Sequence, residues 1–382
     1  MRRRIRHSTA HKSFNCHTST FQPPREIIVI MSSSPSPTTN ESPLISNASS
    51  SPKLQWVNVV NAVAYLVNVI VVFGTQYSDR FPSNADQSEK YQTLLSPAAY
   101  AFSIWGVIFP AQAIWTVTQL LPEYRSQELV VKGVGYNYAL VCAAQAAWSI
   151  LFAKDEVTWS LIAMLSILLP LIKIVWTLSQ IDDSTTPPTA TLPTSVEGET
   201  HVQQDSNSSS MASKFRDNLL FRFPFEIHAA WITAATLVNF NVVLVAWDVS
   251  VSTRSILAWV SLFTVLGVAV SCLLLQGTGQ DSSYKNNGNS QWVVPSVLTW
   301  AVYAIGKELN SPKELISKTY AKQDIEMFKI GAFVVAYTLI SLLHVKFIYH
   351  KVAEKRSATS RQETSEEFND TYQALDDNPD NL

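Results

Sequence analysis

Eight stretches of this chain are apolar and almost free of charge, and most are as long as a bilayer requires. Residues 55–73, 97–121, 134–153, 255–276 and 291–306 carry no charge; 157–178 carry Lys173 alone. Residues 227–247 contain His228, and 330–349 contain His344 and Lys346. A hydrocarbon core of about 30 Å takes about 20 apolar residues per helix. Backbone groups in lipid must be satisfied within the segment, so such runs are expected to be helices. Alternation at period 2, which would mark a membrane β-barrel, is absent. A soluble helical protein would need amphipathic helices to cover so many apolar ones, and the sequence has almost none. The fold class expected is therefore all-α, a polytopic membrane helical bundle of about eight transmembrane helices. The run 291–306 is short and contains Pro295, and a re-entrant or tilted segment there would make the count seven.

The mean hydropathy of +0.09 conceals this body because polar blocks cancel it. Residues 1–53, 181–217 and 351–382 are polar, the last ending in Asp376, Asp377 and Asp380. Such compositions bury too little apolar surface to offset ordering entropy, so they are expected to be disordered. They leave a membrane core over 54–249, interrupted by the insertion at 181–217, and three additional helices over 250–350. All 11 Trp lie in the apolar body. A net charge of −2 argues against a nucleic-acid partner. Cys16, Cys142 and Cys272 are too few for a disulfide scaffold or a thiolate metal cluster.

With an even number of spans both tails share one side, and a small excess of Lys and Arg there favours the cytoplasm. The N-terminus is rich in Arg, Ser and Thr, with no acid before Glu26. That composition is that of an organelle transit segment and points to an organelle membrane; equally, it reads as sequence upstream of a start at Met31.

Three helices share a pattern of Trp beside small residues and an amide. The first runs Pro97-Ala-Ala-Tyr100-Ala-Phe102-Ser-Ile-Trp105-Gly-Val-Ile-Phe109, the second Gln145-Ala-Ala-Trp148-Ser, the third Trp231-Ile-Thr-Ala-Ala235-Thr236-Leu-Val-Asn239. Together they resemble the TspO/MBR family of tryptophan-rich sensory and translocator proteins. Pro97, Phe102, Trp105 and Phe109 stand for the second family helix, with Phe shifted by one residue relative to Trp. Ala147, Trp148 and Ser149 match the third, where Gln145 replaces Asn, and Trp231 and Asn239 keep the spacing of the fifth. The resemblance covers roughly 55–247, a five-helix bundle, and marks a divergent, longer form. It implies a flat lipophilic ligand, such as a tetrapyrrole (porphyrin or haem), a sterol or another lipid, held for sensing or transport, with no cofactor required.

The residues support such a site on their own terms. Trp offers a large apolar face and one N–H donor. An eight-residue step on a helix is about 80° past two full turns, so Trp231 and Asn239 share one face, with Ala235 leaving room between them. Trp105 and Phe109 share one stripe. The candidate ligand-binding set is Tyr100, Phe102, Trp105, Phe109, Gln145, Trp148, Trp231, Ala235 and Asn239. Each Trp in it serves equally in helix packing, and Gln145 and Asn239 equally in bonds between helices. Trp56, Trp176, Trp247, Trp259 and Trp292, near helix ends, read as interfacial anchors.

No catalytic or metal-binding motif is present, and no intramembrane carboxylate pair, so enzymatic activity is not expected. The expected partners are the bilayer, a lipophilic small molecule and, as an option, a second copy in a homodimer. The alternative function is a secondary transporter or channel using all eight helices.

Overall fold

The computed structural model describes residues 52–78, 81–181, 215–275 and 290–376. The tail expected over 1–53 and the insertion over 181–217 fall almost wholly outside them. Among the described residues there is no strand. All eight apolar runs are helical: α1 (Trp56–Gln76), α3 (Trp105–Thr118), α4 (Asn137–Ala153), α5 (Val157–Gln180), α6 (Phe223–Ala246), α7 (Val251–Leu275), α8 (Ser290–Glu308) and α10 (Lys322–Asp376). Two short helices, α2 (Asn84–Lys90) and α9 (Glu314–Thr319), lie in the connections. A 3-10 turn, Ala99–Ile104, leads straight into α3.

Six of these segments are long and apolar enough to cross a membrane. Of the eight expected runs, the other two are α4, with 17 residues, and α8, the segment containing Pro295. Both are interior helices. α4 packs between α1 and α5, and α8 packs on α6, α7 and α10. A helix that meets protein on most sides needs less apolar surface than one that meets lipid.

The surface is apolar, unlike that of a water-soluble protein, and the interior mixes apolar packing with buried amides. Asn58, Asn61, Asn68, Gln112, Gln119 and Asn241 are buried, whereas Val63, Ile70, Leu169, Trp176 and Val334 are exposed. Lipid is as apolar as leucine, so the outside is apolar and the inside is held by polar contacts. α1 shows this best. Asn58, Asn61, Tyr65 and Asn68 repeat at helical spacing on one stripe. Asn61 Nδ2 donates to Gly135 O at 2.9 Å, Tyr65 Oη to Phe109 O at 3.0 Å and Asn68 Nδ2 to Gln145 Oε1 at 3.1 Å. Gly135 has φ of +53°, a turn that a side chain would strain, and that turn aims its carbonyl at Asn61.

Close helix contact recurs where α10 meets α7. A Cβ on Gly331 would lie 2.4 Å from the Trp259 ring, so Trp259 is packed against a helix instead of anchoring the interface. Trp56, Trp176 and Trp247 are exposed near helix ends, as anchors require. At the end of α5, Arg222 is buried and donates to the carbonyls of Leu178 and Ile181, which the helix leaves unpaired.

The segment 351–382 departs from expectation. It continues α10 as far as Asp376, giving a 55-residue helix. Its Glu, Lys, Arg, Gln and Ala are good helix formers, and no Gly or Pro interrupts it before Pro379. A helix already nucleated in the bundle propagates at little cost through such sequence.

Candidate ligand-binding cavity

α6 is the spine of the site. Trp231, Ala235, Val238, Asn239 and Val242 line one cavity along a single face of that helix. Phe102 and Trp105 enter from the 3-10 turn and the start of α3; Gln145, Trp148 and Phe152 enter from α4. Met164 and Ile167 of α5 close the side between them.

The aromatic wall is ordered by edge contacts. Trp105 meets Trp231 at 6.5 Å and 84°, and Phe102 meets Trp231 at 5.7 Å and 81°. Trp148 stacks on Phe152 at 5.3 Å. Two of the nine expected residues stand off the cavity. Phe109 lies behind Trp105, stacked on it at 5.3 Å and touching Phe73. Tyr100 turns outward, its ring edge against Trp300 at 5.1 Å. The remaining seven come together on the lining.

Gln145 and Asn239 are both buried and polar. Each makes a bond between helices and each lines the cavity. Asn239 exchanges hydrogen bonds with Ser160 Oγ on α5, its Nδ2 donating at 3.2 Å. Thr236 is buried but spends its hydroxyl on Ile232 O at 2.7 Å, away from the lining.

The extra helices complete the wall. Val265 of α7 and Ala301, Val302 and Ile305 of α8 all line the cavity. Sequence reading missed them because nothing in their types distinguishes them from core residues. α8 also positions the other side. Ala98 N donates to Ala304 O at 3.0 Å, and Trp300 Nε1 to Ala101 O at 3.4 Å, fixing the turn that carries Phe102.

Ser88, Leu95, Ser96 and Pro97 line the end of the cavity nearest α2. α2 begins with a reciprocal cap between Ser83 and Asp86. It is fastened across that end on two sides. Lys90 and Tyr91 bond Asp155 in the α4–α5 turn, and Lys313 pairs with Glu89 at 3.2 Å.

The cavity measures about 80 Å³. A water needs about 10–15 Å³ on that measure, so this is room for roughly five to eight waters or a small ring system. None of the lining side chains is charged. Among the described residues no cluster of three or more His, Cys, Asp or Glu is placed to hold a metal.

A polytopic helical membrane protein with a tryptophan-walled internal cavity is the class that fold and site define. The chain belongs to the TSPO-like protein family, whose sequence model matches residues 55–345. The match therefore takes in α7 and α8 and much of α10 as well as the first six helices. No curated protein and no solved structure gives a significant match.

Proposed function

We propose that this integral membrane protein binds a flat lipophilic ligand, of tetrapyrrole or similar ring chemistry, in the cavity between Trp105, Trp148 and Trp231, for sensing or transport. The observation that carries the reading is convergence. Three Trp from three helices face one cavity whose polar groups are few and uncharged. Such a lining suits a planar apolar molecule with a few oriented contacts. Small pockets of this kind fall below the roughly 300–1,000 Å³ of typical ligand sites. A tetrapyrrole therefore enters only if the α2 end opens, whereas a two- or three-ring molecule needs little movement.

The test is titration of the full chain in nanodiscs with protoporphyrin IX, following tryptophan fluorescence. Saturable quenching is expected. Ala235→Phe, which fills the cavity between Trp231 and Asn239, should weaken it at least about ten-fold. Quenching that is unsaturable, or identical in the variant, would remove the reading. Because α7 and α8 supply part of the wall, a chain cut before α7 should lose binding too.

A further inference from the structure

We propose that α10, where it leaves the bundle, carries a docking surface for an anionic phospholipid: the acyl chains lie along Val345, Ile348 and Val352, and the headgroup meets Lys355 and Arg356. The surface stands apart from the cavity and does not depend on what the cavity binds.

α10 is one continuous helix, so a face begun in the bundle carries on past it. Val345, Ile348 and Val352 follow steps of three and four and share one face. They are 64%, 60% and 45% exposed, an apolar strip of the kind that acyl chains cover. The next steps of three and four from Val352 reach Lys355 and Arg356. Both are exposed, and neither forms an ion pair with another described residue. The headgroup layer is about 5–8 Å thick on each side of the hydrocarbon. At about 1.5 Å per residue, Lys355 and Arg356 stand about 4.5 and 6 Å beyond Val352 along the axis. The face therefore turns from apolar to cationic within the depth that holds the lipid phosphates. Counted on by the same steps, the first acid is Glu363, about 11 Å past Arg356 and beyond that layer.

A second set of contacts fixes the depth. Lys346 Nζ donates to Leu273 O at 2.8 Å, at the end of α7. The same ammonium lies 5.8 Å from the centre of the Trp292 ring, in the first turn of α8, and His350 meets that ring at 5.7 Å. The end of α7, the start of α8 and α10 thus meet at one level. A Trp and a Lys stand there, as the edge of the hydrocarbon selects. Lys346 and His350 lie on another side of α10 from Val352, so this packing holds the helix and leaves the apolar-to-cationic face uncovered.

An amphiphile covers both parts of that face. A soluble acidic protein or a nucleic acid would meet Lys355 and Arg356 and leave the apolar strip below them untouched. A zwitterionic headgroup brings a cation of its own, so it gains less beside these two than a headgroup of net negative charge.

The experiment titrates the full chain in detergent with dioleoylphosphatidylserine and dioleoylphosphatidylcholine, following each bound lipid by native mass spectrometry. The first phosphatidylserine should bind about ten-fold more tightly than the first phosphatidylcholine. Lys355→Gln with Arg356→Gln should cut that preference at least about three-fold and leave phosphatidylcholine binding unchanged. Lys318→Gln with Lys322→Gln, which removes as much charge elsewhere, should leave the preference intact. Glycerophosphoserine, the headgroup without its chains, should not displace the lipid. A second measurement needs no variant. Tryptic cleavage after Lys355 and Arg356 in nanodiscs should slow several-fold, relative to cleavage after Arg361, when phosphatidylserine replaces part of the phosphatidylcholine. Polyglutamate added to phosphatidylcholine discs, standing for a soluble acidic partner, should not reproduce that slowing. Equal affinity for the two lipids, a preference unchanged in the α10 double variant, or displacement by glycerophosphoserine overturns the proposal. So does unchanged relative cleavage, or slowing by polyglutamate alone. None of these outcomes bears on the cavity.

Discussion

The interior of this bundle has two halves built from the same residue types, one solid and one hollow. In the solid half Trp115, Tyr138 and Phe225 meet edge to face, with ring centres 4.8, 4.9 and 5.5 Å apart, and all three are fully buried. In the hollow half Trp105, Trp148 and Trp231 surround the cavity. α4 and α6 run through both, so the difference is not one of helices. It lies in what faces the aromatics. In the solid half rings face rings. In the hollow half the rings also touch one another, but Ala234, Ala235 and Ala301 share the lining with them and are too short to fill the gap. Trp alone therefore does not mark a cavity; Trp that shares a lining with small residues does.

The largest break in that contrast is Trp115→Ala. It should cost ~3–5 kcal/mol, the range for deleting a buried aromatic side chain. Thermal unfolding in nanodiscs would show it as a large fall in Tm. A loss below about 1 kcal/mol would mean that the solid half is looser than the ring contacts indicate.

Next comes the polar bolt within the same half. Gln112 Nε2 donates to His228 Nδ1 at 2.7 Å, and Tyr138 Oη donates to Gln112 Oε1 at 3.4 Å. All three are buried. Gln112→Leu strands the His228 ring nitrogen and removes one contact of Tyr138, at ~1–3 kcal/mol. The double change with His228→Leu should recover part of the loss, since the stranded ring nitrogen then disappears. If the double variant is less stable than the single by the full cost of a second deletion, the two side chains do not act as a pair.

In the hollow half the same kind of change should do the opposite. Ala301→Leu adds bulk where the structure has space, so stability should stay within about 1 kcal/mol of native. Porphyrin quenching should nevertheless weaken several-fold. A variant that binds normally would show that the α8 wall does not bound the ligand.

Which of this was readable beforehand follows from what each feature depends on. The helices were legible because lipid forces both apolarity and length on a segment. α10 beyond residue 350 was not, because its polar composition fits a disordered tail and a propagated helix equally well. The seven cavity residues that came together lie on motifs whose spacing fixes a helix face. Phe109 shares the Trp105 stripe as expected, but it stacks behind that ring, and only packing decides which of two stacked rings meets the cavity. Val265, Ala301, Val302 and Ile305 carry no signature, since an aliphatic residue facing a cavity has the same type as one facing a neighbour. Asn68 was legible only as one of several asparagines in α1; its partner depended on α1 and α4 running parallel and in register.

The smallest effect should lie outside the membrane, where α2 is tied to the α4–α5 turn. Burial by itself would push the Asp155 carboxyl up, but the Lys90 ammonium and the Tyr91 hydroxyl outweigh it and hold the carboxyl below its ordinary value. Both ion-pair partners are substantially exposed, at 52% and 40%, so water screens the pair and its worth is ~0–1 kcal/mol. The sign follows from the lowered value. The folded protein prefers the ionised Asp155, so the contribution is fully present at neutral pH. It is lost as the pH falls below the ordinary carboxylate range, about 4, and through the folded value. Asp155→Asn should therefore lower Tm by about a degree at pH 7 and by progressively less as the pH falls through the folded value, with the rise in proteolytic access to the α2 segment shrinking in parallel. Equal losses across that pH range would assign the effect to the positive φ of Asp155, 69°, and its fit in the turn instead of to its charge.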